Sequence, residues 1–186
     1  DGHDVRFLTP LRFHQDAALG LTLPLDRSAM PAARAARGER GILYDTGDRY
    51  PGGYNMAEAA ILPVLNRLDV RVLDALIISH KDRDHAGNRQ AMLQAMPVRR
   101  ELTSFPFAPS TQACRRGQQW RWQGLDLRVL WPERPGAGRN NDSCVVQISD
   151  GRHRLLLSGD IEQLAERRLL ALESGERSEE HTSELQ

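Results

Sequence analysis

The chain has 186 residues, with 25 basic and 25 acidic side chains and a formal net charge of zero; 40% of residues are hydrophobic and 5% aromatic. That length suits one domain of ordinary size or a large piece of a bigger one. The balanced charge excludes a basic nucleic-acid coat and an acidic solvating tail, and no run approaches the ~18 consecutive apolar residues of a membrane span. Nothing at the start reads as a signal peptide. Two cysteines cannot build a disulfide-rich scaffold or a four-cysteine zinc site. All basic residues but Lys81 are Arg, a skew attributable to a GC-rich genome and no sign of phosphate binding.

Residues 1–40 carry little pattern. Asp4–Leu8 and Leu19–Leu25 read as a loose strand pair interrupted by Pro10, Gly20, Pro24 and Pro31. From Gly41 the pattern is regular. Gly41–Tyr44 is a short apolar strand that delivers Asp45 at its end, in Asp45-Thr46-Gly47. Asn55 can cap a helix whose apolar positions are Ala57, Ala60, Ile61, Val64, Leu65 and Leu68, with Pro63 as an irregularity or early-turn residue. Leu73–Ser79 is a mostly apolar strand that stops at His80; Ala91–Met96 reads as an amphipathic helix and Val98–Leu102 as another strand. Gln118–Trp122 and Leu125–Trp131 flank Gln123-Gly124 as a hairpin, its second arm aiming Leu125, Leu127, Val129 and Trp131 at one face. Cys144–Ser149 and Arg154–Ser158 flank Asp150-Gly151 as a second hairpin, followed by Ser158-Gly159-Asp160. Ile161–Leu172 is an amphipathic helix through Leu164, Ala165, Arg168, Leu169 and Leu172. Strands and helices mix, and strands repeatedly end in a polar or ionisable residue. The expectation is an α/β fold with a site at the strand ends.

The densest chemistry is Ser79-His80-Lys81-Asp82-Arg83-Asp84-His85, directly after an apolar strand. His80, Asp82, Asp84 and His85 are all metal-ligand types, and a compact turn can aim them at one point. There the carboxylates would repel one another unless a cation lay between them. The plain alternative is a solvated charged loop. Asp45 and Asp160 each end a strand beside a glycine, where alone they would read as turn or cap residues. Together with the turn they suggest one cluster.

The pattern HxDxDH after an apolar strand, preceded by DTG and followed by SGD, resembles the metallo-β-lactamase fold. More narrowly it is similar to the C-terminal domain of the ComEC family of competence proteins. The stretches that carry the resemblance are Leu43–Gly47, Ile61–Asn88, Asn140–Val146 and Leu155–Glu166, within residues 41–172. It implies a sandwich of αββα layers, partial over 41–176, behind an unmatched segment 1–40. It further implies His80 and Asp82 on one metal, Asp84 and His85 on a second, Asp160 bridging them, Asp84 catalytic, and Asp45 supporting the turn from beneath. Asp82 stands where His is commoner in this fold. Oxygen ligands favour harder ions, so Mn²⁺ or Mg²⁺ is favoured, with Zn²⁺ as the alternative. The implied activity is metal-dependent hydrolysis of DNA phosphodiesters, on the strand that is not imported. The implied setting is an outward-facing, periplasmic domain attached to an inner-membrane channel formed by its own parent chain, with no small organic cofactor. The alternatives are a stand-alone hydrolase of a small ester or phosphoester, and a catalytically inert DNA-guiding domain.

Departures from the family are also visible. His153 is read as an exposed turn residue, not a ligand, and Asn141 and Ser143 are expected to line the site instead. The family's DVGQG-like N-terminal segment is not found in residues 1–40. Arg177–Gln186 reads RSEEHTSELQ, which matches the translation of a common sequencing adapter. On that reading 177–186 is foreign, His181 is no ligand, the natural chain continues, a later ligand segment is missing, and the fragment is expected to have little activity. Cys114 and Cys144 could pair in an oxidising compartment or remain buried thiols. Trp120, Trp122 and Trp131 could stack on bases, but core packing is the favoured reading.

Overall fold

The structure, a computed structural model, describes residues 6–8, 19–22, 39–50, 52–53 and 55–183; at 6–8, 19–22, 39 and 176–183 the description is of the backbone. Strands β1 (Arg6–Leu8) and β2 (Leu19–Thr22) pair antiparallel, and β2 continues antiparallel onto β3 (Glu39–Tyr44). The rest of the expected N-terminal strand pair, at 4–5 and 23–25, lies outside the described residues.

β3 then runs parallel to β4 (Val70–Ile78), β4 to β5 (Glu101–Thr103), and β5 to β6 (Gln112–Ala113), in a six-stranded sheet of order β1-β2-β3-β4-β5-β6. Parallel neighbours need crossovers. The first is a π-helical turn at Ala57–Ile61 leading into α1 (Leu62–Arg67); the second is α2 (Arg83–Ala86) with α3 (Arg89–Ala95). Asn55 caps the first crossover as expected, its Oδ1 accepting the Glu58 N–H at 2.8 Å. Pro63 sits where the π-helical turn passes into α1, so the expected irregularity falls at the proline. The consequence for the site is geometric: β3, β4 and β5 all end at the same edge of the sheet.

The second sheet is antiparallel, β7 (Gln119–Trp122), β8 (Leu125–Trp131), β9 (Val145–Ser149) and β10 (Arg154–Leu157), in the order β10-β9-β8-β7. Both expected hairpins are present. Gln123 and Gly124 close the first with φ of 47° and 85°, the left-handed pair that a two-residue hairpin turn requires. A short 3₁₀ turn at Asn140–Asp142 precedes β9, and α4 (Gln163–Ser183) follows β10. α4 runs beyond Leu172, where the sequence reading ended it.

The core is layered. Ile42, Tyr44, Ala75, Ile77 and Leu102 of the first sheet pack against Trp122, Leu125, Leu127, Val129, Val146, Ile148 and Leu157 of the second. On the far side of the first sheet, Leu43, Leu73, Leu76 and Ile78 meet Ala57, Leu65 and Met92 of the crossovers. On the far side of the second sheet, Leu130 and Val145 meet Leu169 of α4. Helices therefore cover both outer faces of two stacked sheets.

Three irregularities set which side chains face where, the first being a step in the β3–β4 register from Glu39↔Val70 to Arg40↔Val72. The β3–β4 register then steps from Gly41↔Leu73 to Ile42↔Ala75, leaving Asp74 as the extra residue. The β8–β9 register likewise skips Leu130. The expected alternation through Leu125, Leu127 and Val129 holds, but it fails at Trp131. The bulge turns Trp131 out to the α4 side, where it packs beside Leu130 and donates from Nε1 to the Asn141 carbonyl at 2.7 Å. Trp122 is buried between the sheets, donating to Asp74 Oδ2 at 2.8 Å, and Trp120 packs beside it under the Arg100 guanidinium.

Candidate metal centre

Asp45 follows β3, Ser79 and His80 follow β4, and Asp160 follows β10 of the other sheet, so the sandwich brings three strand ends together. The single turn of α2 then folds the chain back: His85 and Ala86 both donate N–H to the Asp82 carbonyl, at 3.0 and 2.8 Å. This places the His85 ring 4.2 Å from that of His80, centroid to centroid.

Two loops lock against each other beneath that turn. Thr46 donates to the His85 carbonyl from both its backbone N–H (2.7 Å) and its hydroxyl (2.8 Å). The Asn88 amide donates to the carbonyls of Thr46, Gly47 and Asp48 at 3.0, 2.9 and 2.7 Å. Arg83 pairs with Asp48 at 2.7 Å on the rim. Asp45 itself adopts φ of 60°, a left-handed conformation that Asp tolerates better than most residues.

Asp45 is buried and accepts from three donors. Its Oδ1 takes the Ser79 N–H at 2.6 Å; its Oδ2 takes the Ser79 hydroxyl and His85 Nδ1, both at 2.7 Å. With Nδ1–H turned to Asp45, His85 presents Nε2 to Asp160 Oδ2 at 3.3 Å and Asp84 Oδ2 at 3.6 Å. His80 Nε2 lies 3.7 Å from Asp82 Oδ2 and 3.9 Å from Asp160 Oδ2, and it is buried without a hydrogen-bond partner. Asp82 heads α2 but makes no capping bond with its side chain, which leaves the carboxylate for His80. One ligand atom from each of His80, His85 and Asp160 lies within 4.8 Å of the others. Imidazoles oriented from behind by a carboxylate network, with further carboxylates in front, form a donor set that fits a divalent metal ion.

The two imidazoles are tuned in opposite directions. Burial, and then the neighbouring His85, push His80 below the ordinary histidine value. Burial acts the same way on His85, but the Asp45 hydrogen bond and charge, with Asp160 and Asp84, outweigh it and lift the group to about 9. Without an ion, a protonated His85 serves as the cation among these carboxylates.

Ser143 is buried at the back of this cluster. Its hydroxyl donates to the Asn140 carbonyl at 2.7 Å and accepts the Asp160 N–H at 3.2 Å, so it holds the backbone of a candidate ligand. Asn141 is drawn elsewhere. Its Nδ2 donates to Glu162 Oε2 at 3.0 Å and its Oδ1 accepts the Glu162 N–H at 2.8 Å, tying the turn before β9 to the approach to α4. The His153 side chain is 85% exposed beside Asp150, at the second hairpin. Cys114 and Cys144 form a disulfide between the segments that follow β6 and precede β9, and the Cys144 N–H donates to the Ser79 carbonyl at 2.8 Å. The Tyr44 hydroxyl, kept neutral by burial, donates to the Cys144 carbonyl at 2.7 Å.

Sequence reasoning missed Ser79, Thr46, Asn88 and Gly159. A Cβ on Gly159 (φ +54°) would lie 2.8 Å from those of both Ser79 and Ser143. Ser79, Thr46 and Gly159 each adjoin a residue already singled out, whereas Asn88 carried no such signal.

No family model matches the chain. It is 41% identical over 127 residues to recombination protein 2 of Haemophilus influenzae, covering 66% of this chain and 16% of that protein. It is 35% identical over 138 residues to competence protein ComA of Neisseria gonorrhoeae, covering 73% and 19%. It is 29% identical over 134 residues to ComE operon protein 3 of Bacillus subtilis, covering 63% and 17%. The similarity is to a competence-protein family. The chain spans less than a fifth of the length of these curated relatives, 16–19%. Among solved structures, a mutant flavo di-iron protein and a flavoprotein, both from Thermotoga maritima, match with TM-scores of 0.41 at 15% and 16% identity, each over 80% of this chain and 41% of theirs.

Proposed function

We propose that the chain is a metallo-β-lactamase-like hydrolase domain, of the ComEC type, within a longer DNA-uptake protein. It uses divalent cations to cut DNA phosphodiesters of the strand that is not imported. The observation that carries this reading is the buried, unpartnered Nε2 of His80, which faces carboxylate oxygens of Asp82 and Asp160. His85 Nε2 faces Asp84 and Asp160 in the same way.

In this reading His80 and Asp82 would hold one ion and Asp84 and His85 a second, with the Asp160 carboxylate within reach of both imidazoles. Asp45 keeps the Nδ1 proton of His85 directed away from the ion. Three carboxylates against two imidazoles make an oxygen-rich set, which favours Mn²⁺ or Mg²⁺ over Zn²⁺. When bound, such a pair supplies Lewis acidity toward a phosphate oxygen and toward water. Zero net charge is compatible with a DNA substrate because contact with phosphate passes through the cations. No helix among the described residues is long and apolar enough to cross a membrane. The proposed setting is periplasmic, tethered to the channel portion of the same parent protein.

The test uses a domain carried to the C-terminal boundary of its longer relatives. Supercoiled and single-stranded DNA are incubated with it and Mn²⁺, Mg²⁺ or Zn²⁺, beside an Asp84→Ala control. Metal-dependent cleavage lost in the control is expected. No metal-dependent cleavage, or equal cleavage by the control, refutes the reading.

A further inference from the structure

The hydrogen bonds around His80 Nδ1 can be counted proton by proton. A serine hydroxyl has one proton to give. That of Ser79 lies on the 2.7 Å contact with Asp45 Oδ2, because a carboxylate oxygen and a hydroxyl oxygen do not approach so closely without a proton between them. That of Ser143 lies on the 2.7 Å contact with the Asn140 carbonyl, which can only accept. Both hydroxyl oxygens therefore offer lone pairs alone to His80 Nδ1, at 3.0 Å from Ser79 and 3.5 Å from Ser143. With acceptors on that side, Nδ1 must carry the proton of the neutral ring. Nε2 is left as a bare lone pair, and it is this atom that is buried without a partner.

We infer that Ser79 and Ser143 are positioning residues: by donating to Asp45 and Asn140 they fix His80 in the Nδ1–H tautomer, so that its Nε2 is presented unprotonated toward Asp82 and Asp160 for an incoming cation. The role of Nε2 as a ligand rests on the metal reading above; the tautomer does not. The two residues are not interchangeable. Ser79 belongs to the Asp45 network that also holds His85 Nδ1, at 3.3 Å from the Ser79 oxygen, so it orients both imidazoles. Ser143 reaches His80 and the Asp160 backbone, so it links the two sheets' contributions. Nothing in a packing role alone requires both hydroxyl protons to point away from the imidazole between them.

The experiment is long-range ¹H–¹⁵N NMR of the imidazoles in this chain, freed of metal at neutral pH, followed by calorimetric titration with Mn²⁺ and with Zn²⁺. Wild type is expected to show His80 as the Nδ1–H tautomer. Ser79→Ala is expected to shift it toward the Nε2–H form and to weaken cation binding about 10-fold or more, with a smaller loss for Ser143→Ala. A wild-type His80 in the Nε2–H form overturns the inference. So do folded variants that keep the Nδ1–H form and wild-type affinity. Should a variant fail to fold, the wild-type spectrum still decides. If wild type shows the stated tautomer yet neither this chain nor the domain carried to the C-terminal boundary of its relatives binds either ion, the metal reading falls while the assignment of the proton stands.

Discussion

Reducing the disulfide is the perturbation whose magnitude follows most directly from the structure. Cys114 and Cys144 are 30 positions apart, and both are fully buried between the sheets. Opening a loop of that length restores conformational freedom to the unfolded chain worth roughly 3–4 kcal/mol at 25 °C. The folded side changes less. The Cys144 N–H is held by the Ser79 carbonyl and its C=O by Tyr44, so the backbone stays anchored after the sulfurs separate. For a domain of this size a loss of that order lowers Tm by roughly 10 °C. The assay is thermal unfolding of the oxidised chain with and without a thiol reductant, followed by far-UV circular dichroism. A drop below about 2 °C would refute the reasoning, since the unfolded chain would then gain no freedom from the open loop.

Stability of the metal-free chain should depend on pH through His85. Its folded value of about 9 exceeds the ordinary 6.5, so its contribution is complete below the unfolded value and is lost as pH rises through about 9. Urea midpoints of chelator-treated chain should therefore fall from pH 6.5 to 9.5, and a rise over that interval would contradict the Asp45–His85 pairing. Gly159→Ala forces a Cβ to within 2.8 Å of two serine side chains at a left-handed φ, which should cost about 1–3 kcal/mol and weaken cation binding; a neutral effect on both would show that the strand ends can part freely. Asn88→Ala strips a donor from three loop carbonyls and should destabilise by at least about 2 kcal/mol in denaturant titration, whereas Asn88→Asp, which keeps the size but loses the NH₂, should do no better.

Much of the architecture was legible because its signals are local. Leu125–Trp131 reads as a strand from alternation, and Gln123-Gly124 marks its hairpin because few residue pairs tolerate two positive φ angles. The parts that escaped depend on partners far away in the chain. β6 is two residues long and is a strand only because β5 offers it a ladder. The bulge at Leu130 reverses Trp131, and no periodicity within β8 announces it. β4 begins at Val70, three residues before the apolar run, since Asp69 turns the chain at φ of 58° and Val70 can already pair with Glu39. At the site, residue types announced the candidate donors, His80, Asp82, Asp84, His85 and Asp160, but not the Ser79 hydroxyl behind them. Ser143 is expected near the site only from the family resemblance, and only the fold shows which atoms the two hydroxyls face.

The candidate donors come from opposite halves of the sandwich: the imidazoles from the end of β4 and the turn after it, Asp160 from beyond β10. Any ion that engages all three would act as a cross-brace, joining segments 75 residues or more apart in sequence. Local opening of the β9–β10–α4 side would then require releasing the ion first. At a free cation concentration 100 times the Kd, the added protection is ~2.7 kcal/mol. It should register as slowed amide exchange across β9 and β10, well away from any bound substrate. Occupancy of the centre could in this way be read from the backbone of the second sheet, with no reaction taking place.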